Sequence, residues 1–464
     1  MENQNKARAD LRQLMPFFIV AFVGIIYHLR IRPMAGDDVF FSQATSELGL
    51  WDYLIQRYET WTSRFVIEFL LVWIIKYPIL WRLIDLTLFI SFPVLISKIF
   101  DGGKLMDWCA AAAVLLYPFH DMGTAGWITT TVNYFWPVWG MFFVGFLLKK
   151  MLVHKKINIV EGIAGVLVCV IASSHEHVAV ILFVIFILYG IYLICGKSKK
   201  TPLVQDSAGS TLTDKKVIHS NNLYLAGMVL VNIITLISIL LCPGNAGRNA
   251  VSIADLPIFE TYGFGDKLYL GLLSIERVFI ANCDAVFLTV ALVLAMLVYV
   301  KTDDYKKTLI SELPVLILFG QTALRTAYPG LSGLFVMPQE ITEWSWGTLS
   351  TWLPMVYLAV TVAAMLYALW IILGEQPIEY IYALLMLGCG FGAGMILGFM
   401  ATIYVSGERV YITLYFILLF VTMFCIYRME DAVEEKLKQT GGKLAVTLLA
   451  LICLINIGFV TLSC

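Results

Sequence analysis

Two adjacent carboxylates, Asp37 and Asp38, stand in the run Pro33-Met34-Ala35-Gly36-Asp37-Asp38-Val39-Phe40, directly after the first apolar stretch of the chain. Fixed negative charge beside a membrane-sized apolar run is costly unless it serves a cation, a proton or a polar substrate. Successive residues of a helix point about 100° apart, so the pair cannot share one partner. One aspartate could act as a base or hold a metal while the other caps the following helix, whose first turn favours acidic side chains. Downstream, Arg57, Trp61 and Arg64 offer the opposite charge and an aromatic surface, the last two within Trp61-Thr62-Ser63-Arg64.

Three more polar segments carry candidate chemistry. Ser173-Ser174-His175-Glu176-His177 holds two imidazoles two residues apart, which can chelate a metal from an extended turn but not from one helical face. With Asp37 and Asp38, His175 and His177 form a candidate metal set, and Glu176 could ligate or bind an amine or hydroxyl. Oxygen ligands suit Mg²⁺ or Mn²⁺, whereas the imidazoles favour a softer metal. Cys242-Pro243-Gly244-Asn245-Ala246-Gly247-Arg248 has a proline to fix a turn and glycines that permit positive φ. Its backbone N–H groups, Asn245 and Arg248 are predicted to form an anion nest suited to phosphate. His120-Asp121 and Asn133-Tyr134-Phe135-Trp136-Pro137 bracket a stretch containing Trp127 and three consecutive threonines, which could line a sugar site or simply open the next helix.

The elements that must position these residues are membrane helices. Of 464 residues, 60% are hydrophobic and 14% charged, with a mean hydropathy of +0.83. Apolar runs of about 20 residues match a hydrocarbon core of roughly 30 Å. Candidate spans run near 14–30, 79–97, 105–119, 134–148, 157–173, 178–195, 222–241, 284–300, 308–327, 350–373, 378–401, 410–427 and 444–463, so an all-α polytopic protein of about 13 transmembrane helices is expected. The apolar run 65–75 is expected to lie along the outer leaflet. The net charge of −1 carries no basic stripe for nucleic acid, and nine cysteines lack the spacing of a zinc site. An uncleaved first span is expected, because no small-residue cleavage site follows it.

Topology follows from the lysines. With the N-terminus cytoplasmic, eighteen of the twenty lysines fall inside, as the positive-inside rule requires. Nine of the twelve arginines fall on or near the outer side. Arginine's planar fork suits carboxylate and phosphate better than the point charge of lysine, so this asymmetry points to an anionic ligand at the outer face. The first outer loop, 31–78, holds apolar residues at Trp51, Leu54, Ile55, Tyr58 and Trp61, the spacing of an interfacial amphipathic helix. If that helix continues, Arg57 and Arg64 share a face. The polar segment 196–221 reads as a cytoplasmic loop, and outer loops at Gly330, Gly333, Glu340, Glu343, Trp344 and Trp346 and at Ser406-Gly407-Glu408-Arg409 could close over a substrate.

Asp37-Asp38 in the first outer loop, Trp61-Thr62-Ser63-Arg64, His175-Glu176-His177 and Pro243-Gly244-Asn245-Ala246-Gly247-Arg248 together resemble the GT-C superfamily of polytopic membrane glycosyltransferases, and more closely a group of uncharacterised bacterial membrane proteins with such motifs. The resemblance covers roughly residues 1–248, a GT-C-like catalytic module; 249–464 are matched by hydropathy only and would be C-terminal helices serving substrate or acceptor. It implies a membrane glycosyltransferase of the cell envelope with a polyprenyl-phosphate-linked sugar as donor and an extracytoplasmic glycan or lipid as acceptor. Asp37 or Asp38 would then be general base or metal ligand, and Arg57, Trp61, Arg64, Asn133, Glu176, Asn245 and Arg248 would bind substrate. A transporter or flippase for a lipid-linked or anionic solute uses the same charges as a path, and a noncatalytic scaffold keeps them without chemistry.

Overall fold

The computed structural model describes the backbone of residues 2–196, 215–330 and 347–464, with side chains for 13–194, 220–254, 256–330 and 347–464. The polar segment over 197–214 and the outer-loop residues Gly333, Glu340, Glu343, Trp344 and Trp346 lie outside the described residues. Every element among the described residues is a helix.

Ten helices are long and apolar enough to cross a membrane: Gln13–Arg30, Pro78–Ile99, Trp127–Leu152, Glu176–Ile194, Ser220–Leu241, Tyr305–Ala327, Leu349–Leu373, Pro377–Phe399, Glu408–Arg428 and Thr440–Ser463. Phe264–Ala281 and Ala285–Lys301, bent by 75° at their junction, make an eleventh if they act as one span. This corrects the expectation of thirteen. The run 105–119 folds as Lys104–Leu116 and 157–173 as Ile159–Ser173, of 13 and 15 residues. At 1.5 Å per residue these reach only about 20 and 22 Å, well short of a roughly 30 Å hydrocarbon core. Hydropathy alone could not see where each helix stops. Phe65–Ile74, at ten residues, is likewise a short apolar helix.

The chain forms two compact units. One comprises Phe17–Gly102 and Met122–Arg248, and the other Met1–Pro16, Gly103–Asp121 and Asn249–Cys464. The change at Arg248 falls at the end of the segment that carries the sequence motifs. Gly103–Asp121, by contrast, joins the C-terminal residues, and a single side chain explains much of it. Asn456 donates through Nδ2 to the carbonyls of Leu115, Leu116 and Tyr117 at 2.8, 3.1 and 3.2 Å, covering the orphan acceptors where Lys104–Leu116 ends.

The first unit is knit by aromatic packing and buried polar pairs. Phe92 packs edge-on against Phe135 and Phe142, and Trp81 donates to the Thr131 hydroxyl at 2.8 Å. Asp85, fully buried, accepts from Trp136 Nε1 at 2.7 Å and pairs with His28 Nε2 at 3.0 Å, so the mid-span charge is matched rather than exposed to lipid. The first outer loop supplies three short helices, Asp37–Gln43, Leu50–Thr60 and Phe65–Ile74. Leu50–Thr60 is the helix that the Trp51 to Trp61 spacing predicts, with Tyr53 and Leu54 buried and Trp51 and Ile55 exposed. It stops at Thr60, however, so Arg57 and Arg64 sit on different elements and do not share a face.

Candidate functional site

The two aspartates have opposite fates. Asp37 is exposed, whereas Asp38 is fully buried. Asp38 Oδ1 accepts the backbone N–H and the hydroxyl of Thr129, both at 2.8 Å, and Oδ2 accepts the N–H groups of Met34 at 3.1 Å and Ile128 at 3.3 Å. A carboxylate offers about four lone-pair sites, and all four are taken. Asp38 therefore caps the helix Trp127–Thr130 from ninety residues away, binding the first-turn donors that a helix leaves unsatisfied. Gly126 makes this docking possible, since its φ is +110° and a Cβ there would lie 2.7 Å from both Asp38 Oδ1 and the Ala35 carbonyl.

From Thr129 a hydrogen-bonded chain runs to the arginine of the second motif. The Thr129 carbonyl accepts Asn133 Nδ2 at 2.8 Å, and Asn133 Oδ1 accepts Arg64 Nη1 at 3.2 Å. Arg64 also donates through Nε to Glu176 Oε2 at 2.9 Å, with Nη2 at 2.7 Å from the same oxygen, and Ser63 Oγ donates to Glu176 Oε1 at 3.1 Å. The guanidinium lies over the Tyr134 ring, 5.3 Å from its centre. A π-helical turn over Thr131–Phe135 contains both Asn133 and Tyr134, a distortion found mostly at functional sites. Burial alone would pull the Arg64 guanidinium down, but the Glu176 carboxylate more than offsets it and holds Arg64 above the ordinary arginine range. Four sequence motifs thus meet in one network: the acidic pair, the Trp61 to Arg64 run, the Asn133 turn and the His175 turn.

Arg248 reaches the same carboxylate by a different route. The predicted open turn does not form; Gly244–Asp255 is a helix, and neither Gly244 nor Gly247 has positive φ. The glycines serve close approach instead. A Cβ on Gly244 would lie 2.5 Å from the Trp61 nitrogen and 2.6 Å from the Tyr58 carbonyl, and one on Gly247 would lie 2.5 Å from the Thr60 carbonyl. The helix start is pressed onto Tyr58–Thr62, and Cys242 Sγ donates to the Tyr58 carbonyl at 3.1 Å. Arg248 then lies in the electrostatic field of both Glu176 and Arg64. Burial pushes it below the ordinary arginine range, Glu176 opposes that and Arg64 adds to it.

The remaining predicted ligands are engaged elsewhere. Arg57 donates to Glu68 through Nε at 3.3 Å and Nη2 at 3.0 Å, and the Tyr53 hydroxyl donates to the same carboxylate at 3.0 Å. The rings of Phe40, Phe41 and Trp61 surround that guanidinium at 5.5–5.8 Å, so Trp61 packs on Arg57. Asn245 Nδ2 donates to the Ile239 carbonyl at 3.0 Å. Thr129, Thr130 and Thr131 are buried, and His120 and Asp121 belong to the other compact unit, so they do not line one polar stretch as expected. Tyr134, Ser63, Tyr53 and Glu68 went unanticipated as partners, and only Ser63 had a signal, its place beside Arg64.

The candidate metal set is not assembled either. Asp38 has no oxygen to spare, and the His175 and His177 rings meet edge to face at 5.3 Å rather than presenting two nitrogens to one point. Burial and the neighbouring Arg64 and His177 hold the His175 imidazole well below its ordinary range, hence neutral. Among the described residues no three His, Cys, Asp or Glu side chains could hold a metal ion.

Beside the Arg64 network lies an open groove of about 510 Å³. Ile55, Phe65, Val66, Val170, Val231 and Ile234 make its wall apolar, and Ser63, the residue that bonds Glu176, is part of its lining. Its chemistry is amphiphilic, apolar along its length with guanidinium and carboxylate at one margin. No family model, no curated protein and no solved structure matches the chain.

Proposed function

We propose that the chain is a membrane glycosyltransferase of GT-C type that moves a sugar from a polyprenyl-phosphate-linked donor to an extracytoplasmic cell-envelope acceptor. The observation that carries this reading is the pairing of the apolar groove at Ser63 with the Arg64 and Arg248 guanidiniums around Glu176. A donor of this class has the matching shape, an apolar isoprenyl tail joined to an anionic phosphate. The outward bias of the arginines, read with the N-terminus cytoplasmic, is consistent with such a headgroup site.

In the proposed inverting displacement, Asp37 removes the proton from an acceptor hydroxyl as its oxygen attacks the anomeric carbon. The bond to phosphate breaks, and Arg64 and Arg248 hold the departing negative charge. Of the two aspartates, Asp37 is the one whose exposure leaves it able to take a proton; Asp38 positions Arg64 through Thr129 and Asn133. Glu176 and Ser63 orient Arg64. A divalent cation would rest on Asp37 together with the donor's phosphate oxygens, the usual manner of Mg²⁺ at phosphates.

The test is a transfer assay in membranes with a panel of polyprenyl-phosphate sugars. Asp37→Asn should abolish transfer while leaving donor binding intact, and Arg64→Lys should weaken donor binding at least tenfold. Full transfer by Asp37→Asn would sink the assignment of the base, and donor binding independent of both Arg64 and Arg248 would sink the site. A transporter reading draws on the bent pair Phe264–Ala281 and Ala285–Lys301, since broken helices at membrane depth line solute paths in transporters. Movement of an intact lipid-linked sugar between leaflets without transfer would favour it.

A further inference from the structure

The break between Phe264–Ala281 and Ala285–Lys301 is built from a π-helical turn over Arg277–Ala281 and from Cys283 at φ +50°. Charged groups gather around it within the C-terminal unit. Asp284 caps the second arm, Oδ1 accepting the Phe287 N–H at 2.8 Å, and its Oδ2 accepts the Tyr415 hydroxyl at 3.0 Å. Asn282 Nδ2 donates to Glu408 Oε1 at 3.1 Å. Asp121, 3% exposed, lies in the field of Glu408 and Asp284, opposed by Arg409. Its own neighbour His120 brings Nε2 to 3.4 Å from Asp121 Oδ1 and packs edge-on against Phe459. Arg277 faces Tyr411, whose hydroxyl meets Ser274.

Into this acidic cluster points a hydroxyl with nothing to bond. Tyr117 is 2% exposed, its hydroxyl has no hydrogen-bond partner, and it lies in the field of all three carboxylates. A buried polar group without a partner needs an explanation, and an absent ligand is one. The three carboxylates against one guanidinium require that ligand to be a cation. Packed rings keep it small: Tyr117 sits 5.6 Å from Tyr415 and 5.2 Å from Phe416, and Phe279 sits 4.9 Å from Tyr415. The carboxylates do not converge as a metal cage among the described residues. The smallest cation remains.

We propose that Tyr117, Asp121, Asp284 and Glu408 form a proton-binding site at the broken helix pair, in which a proton from water makes an O–H bond on the Asp121 carboxyl and the Tyr117 hydroxyl is its hydrogen-bond partner. Independent support comes from Asp121 itself, which burial, then Glu408 and Asp284, push up to about 8, so it holds that proton at neutral pH. Burial lowers His120, which therefore stays neutral beside it. Releasing the proton adds a negative charge where the two helical arms meet. The site is independent of the proposed transferase and would exist if that reading failed.

The experiment is difference infrared spectroscopy of the full chain in lipid nanodiscs, titrated across neutral pH in sodium or choline chloride. The carboxylic C=O band should disappear with a midpoint near pH 8. It should be missing from Asp121→Asn and shifted in frequency in Tyr117→Phe, which keeps the ring and loses the partner. Should Asp121→Asn fail to fold, the Tyr117→Phe shift decides alone. No protonated carboxyl at neutral pH, or a band unchanged in Tyr117→Phe, overturns the proposal. A midpoint one pH unit lower in sodium than in choline also overturns it, because an alkali cation would then be the ligand.

Discussion

The Arg64 and Asp121 clusters solve the same problem, charge buried in an apolar helical protein, in opposite ways. Around Arg64 the charge is kept and matched: a guanidinium takes Glu176, Asn133 and the Tyr134 ring, and Ser63 completes the carboxylate. Around Asp121 like charges accumulate, and the cheaper course is for a carboxyl to keep its proton. The first arrangement suits holding a permanent anion, because arginine stays charged at every physiological pH. The second suits responding to pH. The residue type decides this more than the depth of burial, since both Arg64 and Asp121 are largely withdrawn from solvent.

The sharpest break in that contrast is removal of Arg64. Arg64→Met strands Glu176 with only Ser63 as a donor, and uncovering a buried charge costs roughly 3–5 kcal/mol. The apparent melting temperature in detergent should fall accordingly, and the double variant Arg64→Met/Glu176→Met should recover most of the loss. If the single and double variants melt alike, the pair is not the matched unit described here.

Asp38→Asn comes next. The amide can still accept from Thr129 with one oxygen, but its nitrogen then confronts the N–H groups of Met34 and Ile128. Two lost charge-assisted bonds put the cost at roughly 2–4 kcal/mol. The neighbouring Asp37→Asn should stay within about 0.5 kcal/mol of wild type, as expected of an exposed side chain. Equal losses at the two positions would erase the division of labour between them.

These aspartates also show what the sequence could and could not reveal. Residue types announced the Arg64 network well: an acidic pair, an arginine after a buried Thr-Ser and a Glu between histidines all entered it. What stayed hidden was pairing. Nothing in local spacing says that Asp38 will cap a helix at Trp127, that Arg57 will take Glu68, or that Asn456 will close Lys104–Leu116, because each contact is set by tertiary packing. The glycines of Pro243-Gly244-Asn245-Ala246-Gly247-Arg248 misled for the same reason. Glycine marks either positive φ or close approach, and a single sequence does not say which. Helix length failed similarly, since apolar character continues past the point where the backbone turns.

That ambiguity has its own test. Gly244→Ala is compatible with helical φ, so the substitution would be stabilising or neutral if the glycine merely opened a turn. Pressed 2.5 Å from the Trp61 nitrogen, the new methyl instead forces the helix off Tyr58–Thr62. A loss of about 1–3 kcal/mol is expected from such overpacking. Donor binding should weaken with it, because Arg248 rides on the displaced helix, and a variant as stable as wild type would remove close approach as the reason for the glycine.

The smallest expected effect separates the two clusters by pH. An Asp121 carboxyl raised to about 8 keeps a proton that the unfolded chain, with its ordinary value of 3.8, has already lost. Between those values the folded state binds more protons than the unfolded one, so stability falls as pH rises and levels off above about 8. His120 and His175, both lowered by burial, work in the opposite sense. The unfolded chain protonates them below about 6.5, so their contribution grows as pH rises to that point and is constant beyond it. The clean window is therefore from about 6.5 to 8. There, one proton corresponds to a decline of about 1.4 kcal/mol per pH unit. Asp121→Asn should reduce the slope by about that amount, whereas Arg64→Met, which changes no group titrating in this range, should leave it as in wild type. Equal slopes in wild type and Asp121→Asn would mean that the acidic cluster holds no proton and is matched by pairing, as the Arg64 cluster is.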